Sequence, residues 1–479
     1  DDVHEKKDWE KERRNGRIMK VYKKPTVRQY FHKGLLWRAS ETTEVASFEL
    51  FVDLLYVGIL AINGDHAADD PRGSELLRFS ITFIMSWKIW SDLALMISWF
   101  ETDDMLQRLS VLFIMACLLG LTTNMLDAFN DTYTELVSFY LAARLFMGGY
   151  LFVLAMIVPM VRGMMLAHVV LTLIPAALWI ASVHISYPLR LAAIWIAIFM
   201  DLCGAIFLVG IIRGAKVMGQ RVAEYVDRVF EFYPAINIEH KVERTNAFVT
   251  LVFGYSVVAI IYQSAAATGI NAFYGKAALG LVQAFCFNWI YFELDGADLF
   301  AHAIRRNVSS SIFWTAAHLP LIMSYVLGAA ALSKLVVAHD SPNTPLESLT
   351  ETYMEKSESD IPIGLRWFYC AGFGIALFCM GIISLSHVHK DHPKGLRILK
   401  RWRMLNRFGV CIILFCLPIV ESLNSLQLVS IVTGLVVWVL LLELWGCSCP
   451  EESFFGEKRK CGYTARCKVS RKDLEARGK

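Results

Sequence analysis

The chain is poor in charge. Only 19% of its 479 residues are Asp, Glu, Lys or Arg, against about a quarter in an ordinary soluble protein. It also lacks the short motifs of common enzymes. There is no G-x-G-x-x-G, no P-loop, no G-x-S-x-G and no H-E-x-x-H, so no catalytic residue, no cofactor and no enzymatic activity are expected. Paired CxxC spacing is missing among the 11 cysteines, which argues against a zinc site. No disulfide framework is expected either, because Cys117, Cys203, Cys286, Cys370, Cys379, Cys411 and Cys416 lie in apolar blocks, where Cys acts as a small hydrophobe. His168 and His318 have no Cys or His companion at ligand spacing, so each reads as a packing residue and no metal is expected. The first residue is Asp1 and no cleavable signal is visible, which suggests a trimmed N-terminus. Nothing marks a nucleic-acid partner.

What is abundant is apolar sequence. Hydrophobic residues make up 56% of the chain and fall into blocks of about twenty, enough to cross about 30 Å of hydrocarbon as helix. The fold class is therefore an all-α polytopic membrane bundle, with the lipid bilayer as its first partner. Twelve spans are expected, at 45–64, 77–100, 106–127, 136–160, 164–184, 190–212, 246–266, 274–293, 312–336, 361–387, 408–425 and 427–446. Pro159, Pro175, Pro320 and Pro418 fall inside spans on this reading, where proline can kink a helix and free a carbonyl.

Lys and Arg fix the orientation. They concentrate in the first 44 residues, in Arg213 to Arg244, at Arg305 and Arg306, in HKDHPKGLRILKRWRMLNR and in the tail. DHAADDPRGS, NDTYTE and DSPNTPLESLTETYMEKSESD fall on the other side. Twelve spans with both termini cytoplasmic satisfy this pattern; plasma membrane and endomembrane are not distinguished. The chain divides into a basic segment (1–44), six spans (45–212), a cytoplasmic linker (213–245), six more spans (246–446) and a basic tail (447–479). The linker, VAEYVDRVFEFYPAINIEHKVERTNAF, alternates apolar and charged residues and reads as an amphipathic helix on the membrane face. SWFETDD at Ser98 to Asp104 and IYFELDG at Ile290 to Gly296 end spans two and eight. The echo suggests two parallel six-helix halves. In the tail, Cys447 and Cys449 follow the last span closely, which suits S-acylation.

Charge inside the membrane is costly and points to function. The candidates are Glu49, Asp53, Lys88, Asp92, Arg144, Asp201, Glu421 and Glu443. Glu49 and Asp53 lie four residues apart in FELFVDLLYVGIL, hence on one face of a helix. Lys88 and Asp92 repeat the spacing with opposite signs. They can neutralise one another, or Lys88 can pair with Glu49 or Asp53 across two helices; a purely structural ion pair is the plain alternative. Over Glu49, Asp53, Lys88, Asp92, Arg144 and Asp201 the acids outnumber the bases. One carboxyl is then expected to lack a cation and to serve as a proton relay or cation site.

Several stretches resemble the low-temperature-requirement protein A (LtrA) family, membrane proteins found mainly in bacteria, with fungal relatives. They are FELFVDLLYVGIL, WFETDD with MLQRLSVLFIMA, YLAARL, ERTNAFVTLVFGYSVVAI, YFELDG and AAHLPLIMSY, in family order from about residue 45 to 335. The resemblance implies a membrane fold and family-motif positions at Glu49, Asp53, Asp103, Asp104, Arg108, Arg144, Glu243, Arg244 and His318. One departure is Gly254–Tyr255, where the family commonly has Gly-Glu. The family name records a growth phenotype, so the resemblance implies no substrate.

Two functions are compatible with these features. One is a transporter or channel for a small ion or solute, coupled to protons or cations through the buried carboxylates. The other is a sensor or scaffold whose basic arms, Lys6 to Lys33 and Lys390 to Arg407, bind anionic lipid head groups or a partner. An intramembrane enzyme acting on lipid finds no nucleophile with a base. The small residues from Gly328 to Leu332 are a place where a second copy would pack into a homodimer.

Overall fold

The computed structural model describes residues 20–33, 35–38, 47–101, 104–264, 268–390 and 395–448. Among them twelve helices are long and apolar enough to cross a membrane. They are α1 (Ser47–Asp69), α2 (Gly73–Trp99), α3 (Met105–Thr123), α4 (Tyr133–Ile157), α5 (Arg162–His184) and α6 (Arg190–Val217). After them come α7 (Ile238–Ser264), α8 (Ala272–Trp289), α9 (Val308–Val337), α10 (Ile363–Ser386), α11 (Lys400–Cys416) and α12 (Ser425–Cys447). The chain is thus a polytopic all-α bundle. Because an even number of spans alternates direction, the segments before α1 and after α12 share one face, which is also the face of the basic loops.

Two helices begin well before their apolar cores. The sequence predicts starts at 246 and 408; the helices start at Ile238 and Lys400. In both cases the extra turns carry cations that lower the local hydropathy but pair with buried acids inside the bundle. The linker is correspondingly shorter. Its amphipathic helix covers only Gln220–Val229 and is followed by a strand at Phe232–Pro234. Pro159 starts one short 3₁₀ turn between helices and Pro418 is the second residue of another, positions where a missing N–H costs nothing. Only Pro175 and Pro320 lie within helices. Glu421 is exposed in the turn before α12 and is no intramembrane charge.

The most deeply buried span is α9. It crosses α10 where Gly328 meets Gly372, and a Cβ on Gly372 would stand 2.8 Å from the Ser324 carbonyl oxygen. The small residues from Gly328 to Leu332 are therefore used within the chain, and their backbone approach is not available to a second copy. On the basic face, the strand Gln29–His32 pairs with Leu35–Arg38 and with Phe232–Pro234, while Thr26–Val27 pairs with Phe100–Glu101. The N-terminal segment so ties the end of α2 to the start of α7. The echoed sequences take different forms: SWFETDD enters that strand, whereas Ile290–Asp295 continues α8 as a π-helical turn.

Candidate functional site

Burial along α1 follows i, i+3, i+4 spacing through Glu49, Val52, Asp53, Tyr56, Leu60 and Asn63, which aims both acids into the bundle. Their partners stand on α7. Arg244 donates to Asp53 at 2.8 and 3.0 Å and lies 3.4 Å from Glu49. The His240 ring is 3.0 Å from Glu49. Trp90 on α2 donates to Asp53 at 2.8 Å, and the Arg244 guanidinium sits 5.7 Å from its ring centre. All four ionisable groups are buried. His240 and Arg244 lie four residues apart, so they match Glu49 and Asp53 rung for rung.

This arrangement corrects the expected pairing of Lys88 with Glu49 or Asp53. Lys88 instead donates to Asp92 at 2.7 Å, one turn along its own helix. Asp92 also meets Arg144 of α4, whose other nitrogen donates to Asp201 of α6 at 2.6 Å. Asp201 further accepts from the Tyr140 hydroxyl at 2.8 Å and the Trp179 ring N–H at 3.1 Å. No acid in either group lacks a partner. The expected surplus disappears because Arg244 and His240 were counted in the linker.

Between the two groups lies a cavity of about 260 Å³, bordered by Lys88, Asp92, Arg144, Asp201, His240 and Arg244. Trp99, Leu95, Met147, Leu151 and Leu171 supply apolar wall, and His168, Ser98 and Thr315 add polar groups. Trp99 and Ile236 stand near the basic face, while Lys88 lies about 16 Å deeper by helical rise. The cavity therefore reaches towards mid-membrane. Glu49 and Asp53 do not border it; they stand behind Arg244 and His240.

The remaining positions divide. Asp104 caps α3, accepting from the Gln107 and Lys23 backbone N–H groups at 2.8 Å each. The Arg108 guanidinium lies 5.8 Å from the Phe48 ring centre. Glu243 is exposed on the outside of α7, away from the cavity. Tyr255 donates its hydroxyl to Asp65 at 2.7 Å, so α1 supplies the acid that α7 lacks. His318 is buried between Tyr291 at 2.9 Å and the Trp314 carbonyl at 2.6 Å, as a packing residue. The Cys447 thiol is half-buried against Arg403. Asp103 and Cys449 lie outside the described residues.

A third cluster was missed except for Glu443. Arg407 donates to Asp295 at 2.7 Å and Glu443 at 2.9 Å, and Arg403 donates to Glu443 at 2.6 Å. This corrects the basic arm from Lys390 to Arg407, since two of its arginines are buried in the bundle. The signal was there: Arg403 and Arg407 repeat the four-residue spacing, as His240 and Arg244 do.

Fold and site together define a twelve-span helical membrane protein with a charged internal cavity. The chain belongs to the bacterial low temperature requirement A protein (LtrA) family, whose model matches residues 44–442. The match runs well beyond residue 335, so the last three spans belong to the family region too. No curated protein and no solved structure matches the chain.

Proposed function

We propose that this protein carries a small solute across the membrane, with the cavity as its binding chamber and the surrounding ion pairs as the parts that rearrange. The supporting observation is a void of about 260 Å³ whose deep wall is made of paired charges from three helices. A buried ion pair with no space beside it can only hold helices together. One that borders a cavity can exchange partners with a solute. Arg144 has an acid on each side, Asp92 and Asp201, and a shift towards either leaves the other carboxylate able to take a proton. That supports proton coupling through this group. Glu49 and Asp53 then act indirectly, by holding Arg244 and His240 against the wall. The excess of Lys and Arg on the face with both termini supports a cytoplasmic location for them.

Proteoliposomes with a pH-sensitive dye in the lumen test the reading, using acetate, benzoate, choline and potassium as probes. The expected result is solute-dependent entry above protein-free vesicles for one of them, lost in Asp92→Asn. Wild-type vesicles no more permeable than empty ones to all four would sink the transport reading. A membrane scaffold would then be the better description.

A further inference from the structure

The charges on the cavity wall are not equally committed. Asp92 is held by Lys88 and Arg144, and Asp201 by Arg144, Tyr140 and Trp179. A cationic solute would meet no open carboxylate. Arg244 is turned to Asp53 and Glu49. Lys241 differs. It borders the cavity, half-buried, and its ammonium makes no hydrogen bond or ion pair among the described residues. It also stands in the first turn of α7, where the positive end of the helix dipole disfavours a cation. Helix stability does not explain a lysine there. Asn237 already caps the helix start, accepting from the His240 and Lys241 N–H groups, so an anion in the cavity would answer the ammonium. The His168 ring adds polar nitrogens to the same wall; its described contact is with the Trp99 ring at 4.9 Å.

We propose that the cavity takes a small organic anion, a carboxylate on an apolar body, with Lys241 receiving its charge. This rests on the cavity being the solute chamber. Leu95, Leu151, Leu171 and Trp99 suit the apolar body, and the volume lies below the roughly 300–1,000 Å³ of pockets for drug-sized ligands. Lys88 and Arg144 wait deeper in the same space, so an anion moving inwards would compete with Asp92 and Asp201 for them. Entry of negative charge would thereby loosen the acids that could accept a proton.

Benzoate, benzamide and benzylammonium share one ring and differ in head-group charge. Equilibrium dialysis of radiolabelled benzoate against the purified full chain, with the other two as competitors, reads the preference directly. Saturable benzoate binding is expected, with both competitors at least about tenfold weaker, the scale of one charge-assisted hydrogen bond. Lys241→Gln should weaken benzoate about tenfold or more, while Lys241→Arg should keep it within about threefold. Equal competition by benzylammonium, an unchanged affinity in Lys241→Gln, or no saturable benzoate binding overturns the proposal. Benzoate binding without benzoate flux in proteoliposomes would remove the transport reading and keep the anion site. Choline flux without benzoate binding would do the reverse.

Discussion

Two charge clusters in this bundle have the same composition and opposite surroundings. Lys88, Asp92, Arg144 and Asp201 form one; Asp295, Arg403, Arg407 and Glu443 form the other. Each balances two acids with two bases. In the first, Lys88 and Asp92 keep side-chain exposures of 17% and 18% because a cavity lies against them. In the second, Arg407 and Asp295 stand at 0% and 2%. Buried charge alone therefore does not mark function in a membrane helix bundle. Space beside the charge does, because only there can a partner be exchanged. The Glu49–Asp53–Arg244–His240 group is intermediate: its cations border the cavity and its acids are sealed behind them.

The comparison breaks most visibly in stability. Arg407→Met strands the fully buried Asp295 and leaves Glu443 with Arg403 alone; it should cost about 3–5 kcal/mol. Lys88→Met leaves Asp92 with Arg144 and should cost less than about 1 kcal/mol. Melting curves of the two variants in the same detergent measure this directly. Similar losses would show that the clusters are not of different kinds.

Flux should sort the same clusters the other way. Asp92→Asn keeps the side-chain shape and removes the charge that links Lys88 to Arg144. Solute flux is expected to fall at least about tenfold, roughly 1.4 kcal/mol in barrier, with little change in melting. Glu443→Gln should melt early, yet its folded fraction should transport at the wild-type rate per molecule. A transport defect in Glu443→Gln at full folded yield would erase the distinction.

The spans and the acids were legible in the sequence; their partners were not. Twenty-residue apolar blocks are set by bilayer thickness, so all twelve helices could be read from composition. Glu49, Asp53, Asp92 and Asp201 stood out because each is an acid in an otherwise apolar run. His240, Arg403 and Arg407 did not, and Arg244 stood out only through the family resemblance, since all four occupy the opening turns of α7 and α11 among other basic residues. Averaged hydropathy treats a cation as an end of the membrane segment. It cannot tell that a carboxylate on another helix neutralises it. Lys241 was hidden for the same reason. Acid and base pairs at matching four-residue spacing were the available clue, and they recur on α1, α2, α7 and α11. The cavity had no sequence signature at all.

Acid should expose a further difference between the clusters' surroundings. On the basic face, beside Asp295 and Arg407, His302 and His389 are each held down to about 4 and His387 to about 3. Burial is the main cause, followed by nearby positive charge, Arg305 for His302 and Lys400 for His389. Each ring also spends Nδ1 as an acceptor, from Ile304 N–H, Ala303 N–H and the Lys400 ammonium respectively for His302, His387 and His389. An unfolded chain takes up these protons near pH 6.5, whereas the folded protein resists to about 4. The unfolded state thus binds more protons across that window, and stability is lost as pH falls from 6.5 towards 4. Melting temperature measured from pH 7 to 4.5 should decline, and less steeply in His387→Gln. A slope unaffected by that substitution would remove these histidines as its source.

The smallest effect concerns the opposite end of the bundle. Tyr255 stands on α7, and its hydroxyl donates to Asp65 at 2.7 Å. Tyr255→Phe removes that donor while keeping the ring, and Asp65, being half-buried, can turn to water. The cost should be about 1 kcal/mol in melting, near the low end for a hydrogen bond to a charged group. Tyr255→Glu sets a second carboxylate beside Asp65. It should destabilise more than Tyr255→Phe at pH 8, because two like charges then stand side by side. If Tyr255→Glu melts like wild type at pH 8, the two acids are neutralised together, and a cation would have to be held between α1 and α7 at this end as well. That outcome would make the acidic face a second point of charge entry, and the contrast between one accessible cluster and one sealed cluster would no longer describe the molecule.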